Sequence, residues 1–186
     1  MLSLKDSLVV LKKTKALLEG HFVLSSGLHS PQYVQCAKLL SYPKKSEKFC
    51  KSLSTKIKKK FKKIDIILSP AMGGIVIGYI VGNLLNKETI FCERVNGKFI
   101  LRRGFSIKKN SKVLIVEDVI TTGKSSLECA RLVKKYKSKV VGYACLINRS
   151  SKPSLKIKDK NIVSQIKLEI PTYKKNDLPI ELKKIP

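Results

Sequence analysis

Residues 112–126 read KVLIVEDVITTGKSS, and this stretch decides the fold. Residues 113–116, VLIV, form a short unbroken apolar run of the kind found in a strand buried on both faces of a parallel sheet. A helical pattern starts at Lys124 and runs to about Tyr136, carrying Leu127, Ala130, Arg131 and Val133. Between them lies a small, polar turn. The closing Gly-Lys-Ser matches the end of an ATP-binding P-loop. That loop follows the pattern G-x-x-x-x-G-K, and its first glycine would fall on Asp118, so the ATPase reading fails. What survives is simpler: a strand ending at Asp118, a Thr- and Gly-rich turn, and a helix start. Backbone N–H groups of residues 121–125, with Thr and Ser hydroxyls, make a nest for a phosphate dianion there.

Glu117 and Asp118 then stand at the carboxyl end of a central strand, where open parallel sheets bind ligands. Carboxylates repel a phosphate held directly against them. They suit hydrogen bonds from sugar hydroxyls a few ångströms away, or a magnesium shell reached directly or through water. A ligand with a phosphate at one end, a diol in the middle and a metal-bound group beyond satisfies both features. Ribose 5-phosphate carrying a pyrophosphate fits that description.

Working outward, residues 64–68 are a second buried strand, SPAMGG breaks it, and a helix continues to about Asn86. KVVGYACLIN, residues 139–148, is a third strand. Strand, helix, strand, helix, strand predicts an α/β fold with a parallel sheet and right-handed crossovers. TIFCERVNGKFILRRGF, residues 89–105, predicts a hairpin, because Asn96-Gly97 suits a type I′ turn. Residues 4–19 read as a helix with Ser3 as N-cap and Gly20 as its stop. HFVLSSGLHSPQYVQ then reads as a strand or hairpin, and Pro43 opens a second helix. Its stripe of Phe49, Leu53, Ile57 and Phe61 is a core contact. After Ser151, residues 162–173 suggest an edge strand, and the polar tail from Lys174 is expected to drape over the surface.

Composition narrows the function classes. At 186 residues with 43% hydrophobic content the chain suits one domain with a real core. It has neither an apolar run long enough for a bilayer nor a signal-peptide cleavage pattern. Five cysteines, an odd number without C-x-x-C spacing and with only two histidines beside them, read as reduced thiols in the cytoplasm rather than a zinc site. The net charge of +26 invites a polyanion partner. Yet 34 of the 39 cationic residues are lysines and only 5 are arginines, and they are dispersed. Dedicated nucleic-acid surfaces rely on Arg forks, so the excess reads as compositional drift that steers small anions, with no nucleic-acid partner expected.

VLIVEDVITTGKS closely resembles the phosphoribosyl pyrophosphate (PRPP) signature of the type I phosphoribosyltransferases. GHFVLSSGLHSPQYVQC, SPAMGGIVIG, ERVNGKFILRRGF and LINRSS occur in the order and spacing of the orotate phosphoribosyltransferases, over about residues 15–182. The likeness is closest to the short bacterial branch. It implies a type I phosphoribosyltransferase fold: a central, mostly parallel sheet flanked by helices, in a single domain over 1–186. A small hood would come from about 1–40 and 151–186. It also implies transfer of ribose 5-phosphate from PRPP to orotate, giving orotidine 5′-monophosphate and pyrophosphate, a step of de novo pyrimidine (UMP) synthesis.

Carried over by motif, Glu117 and Asp118 would hold the ribose hydroxyls. Val119, Ile120, Thr121, Thr122, Gly123, Lys124 and Ser125 would form the rest of the sugar-phosphate cradle. Ala71, Met72, Gly73 and Gly74 would be the pyrophosphate loop, which in the family often holds a cis peptide. Thr121 and Arg149 would contact orotate. The hairpin would be a mobile segment closing over the site near a homodimer interface. Its Arg94 and Lys98 would bind pyrophosphate, completing a catalytic set with Asp118 and Glu117. Mg2+ would arrive mainly on PRPP, with Glu117 and Asp118 reaching it through water and no separate protein metal site. Departures are Ser25, where some relatives carry lysine, and Val95 and Ile100, where relatives with a longer basic cluster carry Lys and His. Arg102 and Arg103 either compensate or are structural. Bland readings stand beside these: Gly73-Gly74 as a tight turn, Arg149 as a solvated strand-end charge, His29 as a loop hydrogen-bonder, Lys124 facing water. Two other functions fit the same sugar site: a purine or xanthine phosphoribosyltransferase, and a nucleic-acid-binding regulator on this fold, the latter without a helix-turn-helix to support it.

Overall fold

A computed structural model describes residues 1–24, 26–150, 155 and 157–184. Its main sheet has six strands: β3 (Ile66–Pro70), β4 (Glu88–Val95), β5 (Lys98–Leu101), β6 (Lys112–Ile120), β7 (Lys139–Asn148) and β8 (Ile162–Lys167). They lie in the order β5-β4-β3-β6-β7-β8, all parallel except β5, which pairs antiparallel with β4. This is the expected α/β architecture, and β8 is the expected edge strand.

The pleat sorts the side chains into two cores. Ile67, Leu114 and Val116 face helices α3 (Pro43–Lys60) and α4 (Gly73–Leu85), while Ile66, Leu68, Val113 and Ile115 face α5 (Lys124–Lys135). Phe49, Leu53 and Ile57 are fully buried on α3, as their spacing predicts. Phe61 instead ends that helix as its half-buried C-cap. Helix α4 lies close against the sheet because its glycines face it. A Cβ on Gly74 would come within 3.1 Å of the Val116 carbonyl, and one on Gly78 or Gly82 would run into the Ser69 or Thr89 hydroxyl.

A separate antiparallel pair, β1 (Leu17–Val23) and β2 (His29–Val34), forms a hairpin beside the sheet. The chain's end returns to it. His29 and Tyr173 exchange backbone hydrogen bonds at 2.8 and 2.9 Å, and the short α6 (Ile180–Lys183) packs on β1 with Leu182 buried. The tail is therefore anchored rather than merely draped.

Several boundaries differ from the sequence reading. Strand β3 runs from Ile66 to Pro70 and not over 64–68, because Ser69 and Pro70 still pair with Phe91 and Cys92 of β4. Helix α1 (Leu4–Lys13) starts as expected, with Ser3 accepting a hydrogen bond from the Asp6 amide, but stops well before Glu19. Lys15 turns to φ 54° and Leu17 pairs with Val34, so strand pairing overrides the helical propensity of the Ala-Leu-Leu-Glu run. A short helix α2 (Cys36–Leu40) was not anticipated. The central strand does not end at Asp118. It continues to Ile120, because Val119 and Ile120 pair with Ile147 and Asn148 of β7. The Asn96-Gly97 turn holds: both residues have positive φ, 47° and 77°, as a type I′ turn requires. Among the described residues no helix is long and apolar enough to cross a membrane.

Candidate active site

Strands β3, β6 and β7 finish together, at Pro70, Ile120 and Asn148, and each hands the chain to a segment singled out by its sequence. After β6, Thr121 and Thr122 are exposed. Gly123 takes φ 71°, a left-handed conformation suited to glycine, and α5 begins at Lys124. Gly123 caps α5 without a side-chain hydrogen bond. The positive end of the α5 dipole and the amides of its first turn thus face the sheet's carboxyl edge, as anion sites do. Lys124 is exposed, and its amide lies 3.4 Å from the Thr122 hydroxyl.

The pleat sends the two acids to opposite faces of β6. Glu117 points toward α5, is 8% exposed, and accepts a hydrogen bond from the Ser126 hydroxyl. Burial raises its pKa to about 7; the Ser126 bond opposes this, and the like charges of Asp118 and Glu128 add to it. Asp118 points toward α4 and accepts a hydrogen bond from the Val119 amide at 2.9 Å. Its pKa is also raised, again chiefly by burial. Among the described residues no cation pairs with either carboxylate, so both stand ready for donors from a ligand.

The 71–74 loop closes onto Asp118. Ala71–Met72 is a cis peptide, and the Ala71 amide donates to the Cys92 carbonyl at 2.8 Å, tying the loop to β4. A Cβ on Gly73 would sit 2.9 Å from both Asp118 oxygens. The bare glycine backbone is what lets loop and acid meet.

After β7, the Arg149 amide donates to the Ile120 carbonyl at 2.8 Å, which places Arg149 beside Thr121. Its guanidinium is half-buried and lies 3.5 Å from the Ser30 hydroxyl of β2. Burial lowers its pKa, although an arginine stays charged. The hairpin and the sheet edge therefore share one cleft. The strands flanking β6 carry the glycine loop after β3 and, after β7, a guanidinium suited to a planar carboxylate.

The hairpin cations are placed differently. Arg94 stacks over Phe99 at 4.1 Å and donates to the Gly97 carbonyl at 2.6 Å and to Glu128 at 2.5 Å. Arg103 and Arg102 pair with Glu93 at 2.5 and 3.4 Å. Lys98 is exposed. Among the described residues, no hydrogen bond joins Arg94 or Lys98 to the 71–74 loop or to the phosphate turn. His21 Nε2 and His29 Nδ1 share a hydrogen bond at 2.7 Å across the β1–β2 hairpin. Ser25 and Ser151 lie outside the described residues.

Sequence reasoning missed Ser126, Ser30, Glu128 and Glu93. The first was within reach: with a period of two along β6, Glu117 must face the helix whose first turn contains Ser126. Glu93 was also within reach, since it lies in the same hairpin as Arg102 and Arg103, whereas Ser30 and Glu128 come from segments distant in the chain. Among the described residues no group of three His, Cys, Asp or Glu side chains is placed to hold a metal ion.

Known proteins share this chain's family and fold. The phosphoribosyl transferase domain model matches residues 40–176. A curated orotate phosphoribosyltransferase from Parvibaculum lavamentivorans is 44% identical over 176 residues, covering 94% of this chain and 90% of that protein. Among solved structures, the orotate phosphoribosyltransferase of Aeropyrum pernix superposes with a TM-score of 0.73 at 23% identity, over 87% of this chain and 93% of that one. That of Mycobacterium tuberculosis H37Rv, in complex with inorganic phosphate, gives 0.67 at 17% identity, over 87% and 95%. The two structures establish the type I phosphoribosyltransferase fold. Family model and curated relative establish kinship: the chain belongs to the phosphoribosyltransferase family, among its orotate phosphoribosyltransferases.

Proposed function

We propose that this chain transfers ribose 5-phosphate from PRPP to orotate, giving orotidine 5′-monophosphate and pyrophosphate in pyrimidine synthesis. The observation that carries the reading is the convergence at one sheet edge of an amide-lined helix start, an un-neutralised acid pair, a glycine loop on Asp118, and Arg149. The 5-phosphate sits on the amides of residues 121–125. Glu117 and Asp118 accept hydrogen bonds from the ribose hydroxyls. Arg149 pairs with the orotate carboxylate beside Thr121.

In the reaction the bond from C1 of the ribose to pyrophosphate breaks, a bond from C1 to an orotate ring nitrogen forms, and the proton that nitrogen carried passes to the departing pyrophosphate or to water. Positive charge builds on the sugar ring, where the acid pair opposes it. Negative charge builds on the departing pyrophosphate, where the amides of the 71–74 loop and the cations Arg94 and Lys98 receive it. Orotate brings its own nucleophilic nitrogen, so the protein supplies position and electrostatics. Magnesium would come as an ion borne by the substrate, with the Glu117 and Asp118 carboxylates at the sheet edge as its protein contacts. Bound to the diphosphate, it would neutralise the leaving group, with Glu117 and Asp118 reaching it through water. Because β4 is held in the main sheet as far as Cys92, only the part of the hairpin beyond it would close to keep water from the activated sugar.

The remaining expectations follow the same reading. The 1–186 chain acts as one domain, its hood built from the β1–β2 hairpin and the C-terminal segment that bridges to it at Tyr173. Met72, Val76 and Tyr79, exposed along the loop and α4, support a homodimer on that face. Five free, buried thiols support a reducing, cytoplasmic setting. The test is turnover with PRPP and magnesium on orotate, adenine, hypoxanthine and xanthine in parallel. Orotate alone should be consumed; activity confined to a purine rejects the reading in favour of a purine enzyme. Tight RNA binding without any turnover would favour a regulator.

A further inference from the structure

We propose that Ser126 is a positioning residue. It holds the Glu117 carboxylate in place to receive a ribose hydroxyl, so that the helix gripping the sugar's phosphate also sets its diol-binding acid. This rests on the sugar-phosphate site proposed above.

Ser126 is fully buried in the first turn of α5, and its hydroxyl donates to Oε1 of Glu117. The other described groups around that carboxylate do not steady it. Its in-register neighbour on β7 is Cys145, Cys129 of α5 lies close to it, and Asp118 and Glu128 carry the same charge. Among the described residues, Ser126 is the one hydrogen-bond donor to the Glu117 side chain. Asp118 differs, since the Val119 amide fixes it from its own strand.

The consequence is mechanical. A glutamate has several freely turning bonds, and ordering such a side chain costs up to about 2 kcal/mol. Tying Oε1 to Ser126 orders it before ligand arrives and leaves Oε2 to accept from the sugar. Residues 124–126 form one helical turn, so the amides that meet the phosphate and the hydroxyl that holds Glu117 move as one body. Ser125, half-exposed, belongs to the phosphate cradle; Ser126 faces inward. The two ends of a ribose phosphate are thereby read by a single rigid element.

The test combines S126A, E117A and the double variant, read by calorimetric binding of ribose 5-phosphate and by separate KM values for PRPP and orotate; E117A is used because a glutamine would still accept the Ser126 hydrogen bond. S126A should weaken ribose 5-phosphate binding and raise the PRPP KM about tenfold, as expected for losing a hydrogen bond to a charged group. The orotate KM should stay within about twofold. Because Ser126 acts through Glu117, adding S126A to E117A should change binding by less than about twofold. A buried serine with a merely structural role would instead give additive losses. Should S126A fail to fold, S126C keeps the volume, weakens the donor, and should show a smaller shift of the same sign. Unchanged ribose 5-phosphate affinity in S126A, or additive losses in the double variant, overturns the proposal. So does a wild type that binds no ribose 5-phosphate. A wild type that binds ribose 5-phosphate but leaves orotate untouched refutes the proposed reaction while leaving the role of Ser126 open to the same binding cycle, which decides it.

Discussion

The phosphate turn and the hood face each other across one cleft, and the chain builds them in opposite ways. The turn is contiguous: acids, cradle and helix start all fall within residues 117–126. The hood is assembled from remote pieces, with Ser30 and Pro171 in contact although 141 positions apart. Chemistry in the turn is fixed by local geometry, namely strand pleat, a left-handed glycine and the first turn of a helix. Chemistry in the hood depends on the whole domain having closed. Substitutions in the turn should therefore damage catalysis with the fold intact, and those toward the periphery should act weakly on both.

The largest effect is expected at Asp118. D118N removes a carboxylate that faces the developing positive charge, and should cut orotate turnover on the order of 1,000-fold. Its melting temperature should hold or rise, because burial already disfavours the charge. A loss below about fivefold would place the sugar elsewhere.

Glu117 comes next, in stability rather than rate. Its folded pKa of about 7 lies above the ordinary value of 4.5. The unfolded chain thus ionises first, and the folded state loses stability as pH climbs from 4.5 through 7. E117Q abolishes this penalty. Without ligand it should be more stable than wild type by about 2–3 kcal/mol at pH 8 and equal to it near pH 4, seen as urea midpoints across pH. A difference independent of pH would contradict the burial argument.

G73A tests the meeting of loop and acid. A methyl 2.9 Å from the Asp118 oxygens must push one or the other aside, and a roughly tenfold drop in kcat/KM is expected with little change in melting temperature. Unaltered activity would mean that the loop and Asp118 work independently. The smallest effect is assigned to the hairpin. E93Q breaks the pairs to Arg102 and Arg103, whose side chains are 57% and 63% exposed, so it should cost less than about 1 kcal/mol in stability. It should leave the orotate KM within about twofold, whereas a large rise would give those arginines a share in the site.

The same contrast explains what could be read from the sequence. Strand β6, the turn and α5 were legible because their signals are local: an apolar run, then small polar residues, then a helical period. Even there Val119 and Ile120 were left out of the strand, since only pairing with Ile147 and Asn148 holds them extended. The first helix was drawn too long for the same reason, with Leu17 committed to Val34 across the hairpin. Asn96-Gly97 announced its turn, but not that β4 would double as a strand of the main sheet or that Arg94 would find Glu128. Arg149 was legible as a strand-end guanidinium. Its neighbour Ser30 was not, because nothing in either segment encodes their meeting.

The most direct measurement is a crystal structure of the protein with PRPP and magnesium. The 5-phosphate should rest on the amides of residues 121–125, with the ribose hydroxyls within hydrogen-bond distance of Glu117 and Asp118 and the diphosphate against residues 71–74. Density for the sugar anywhere other than above that acid pair would contradict the proposed site.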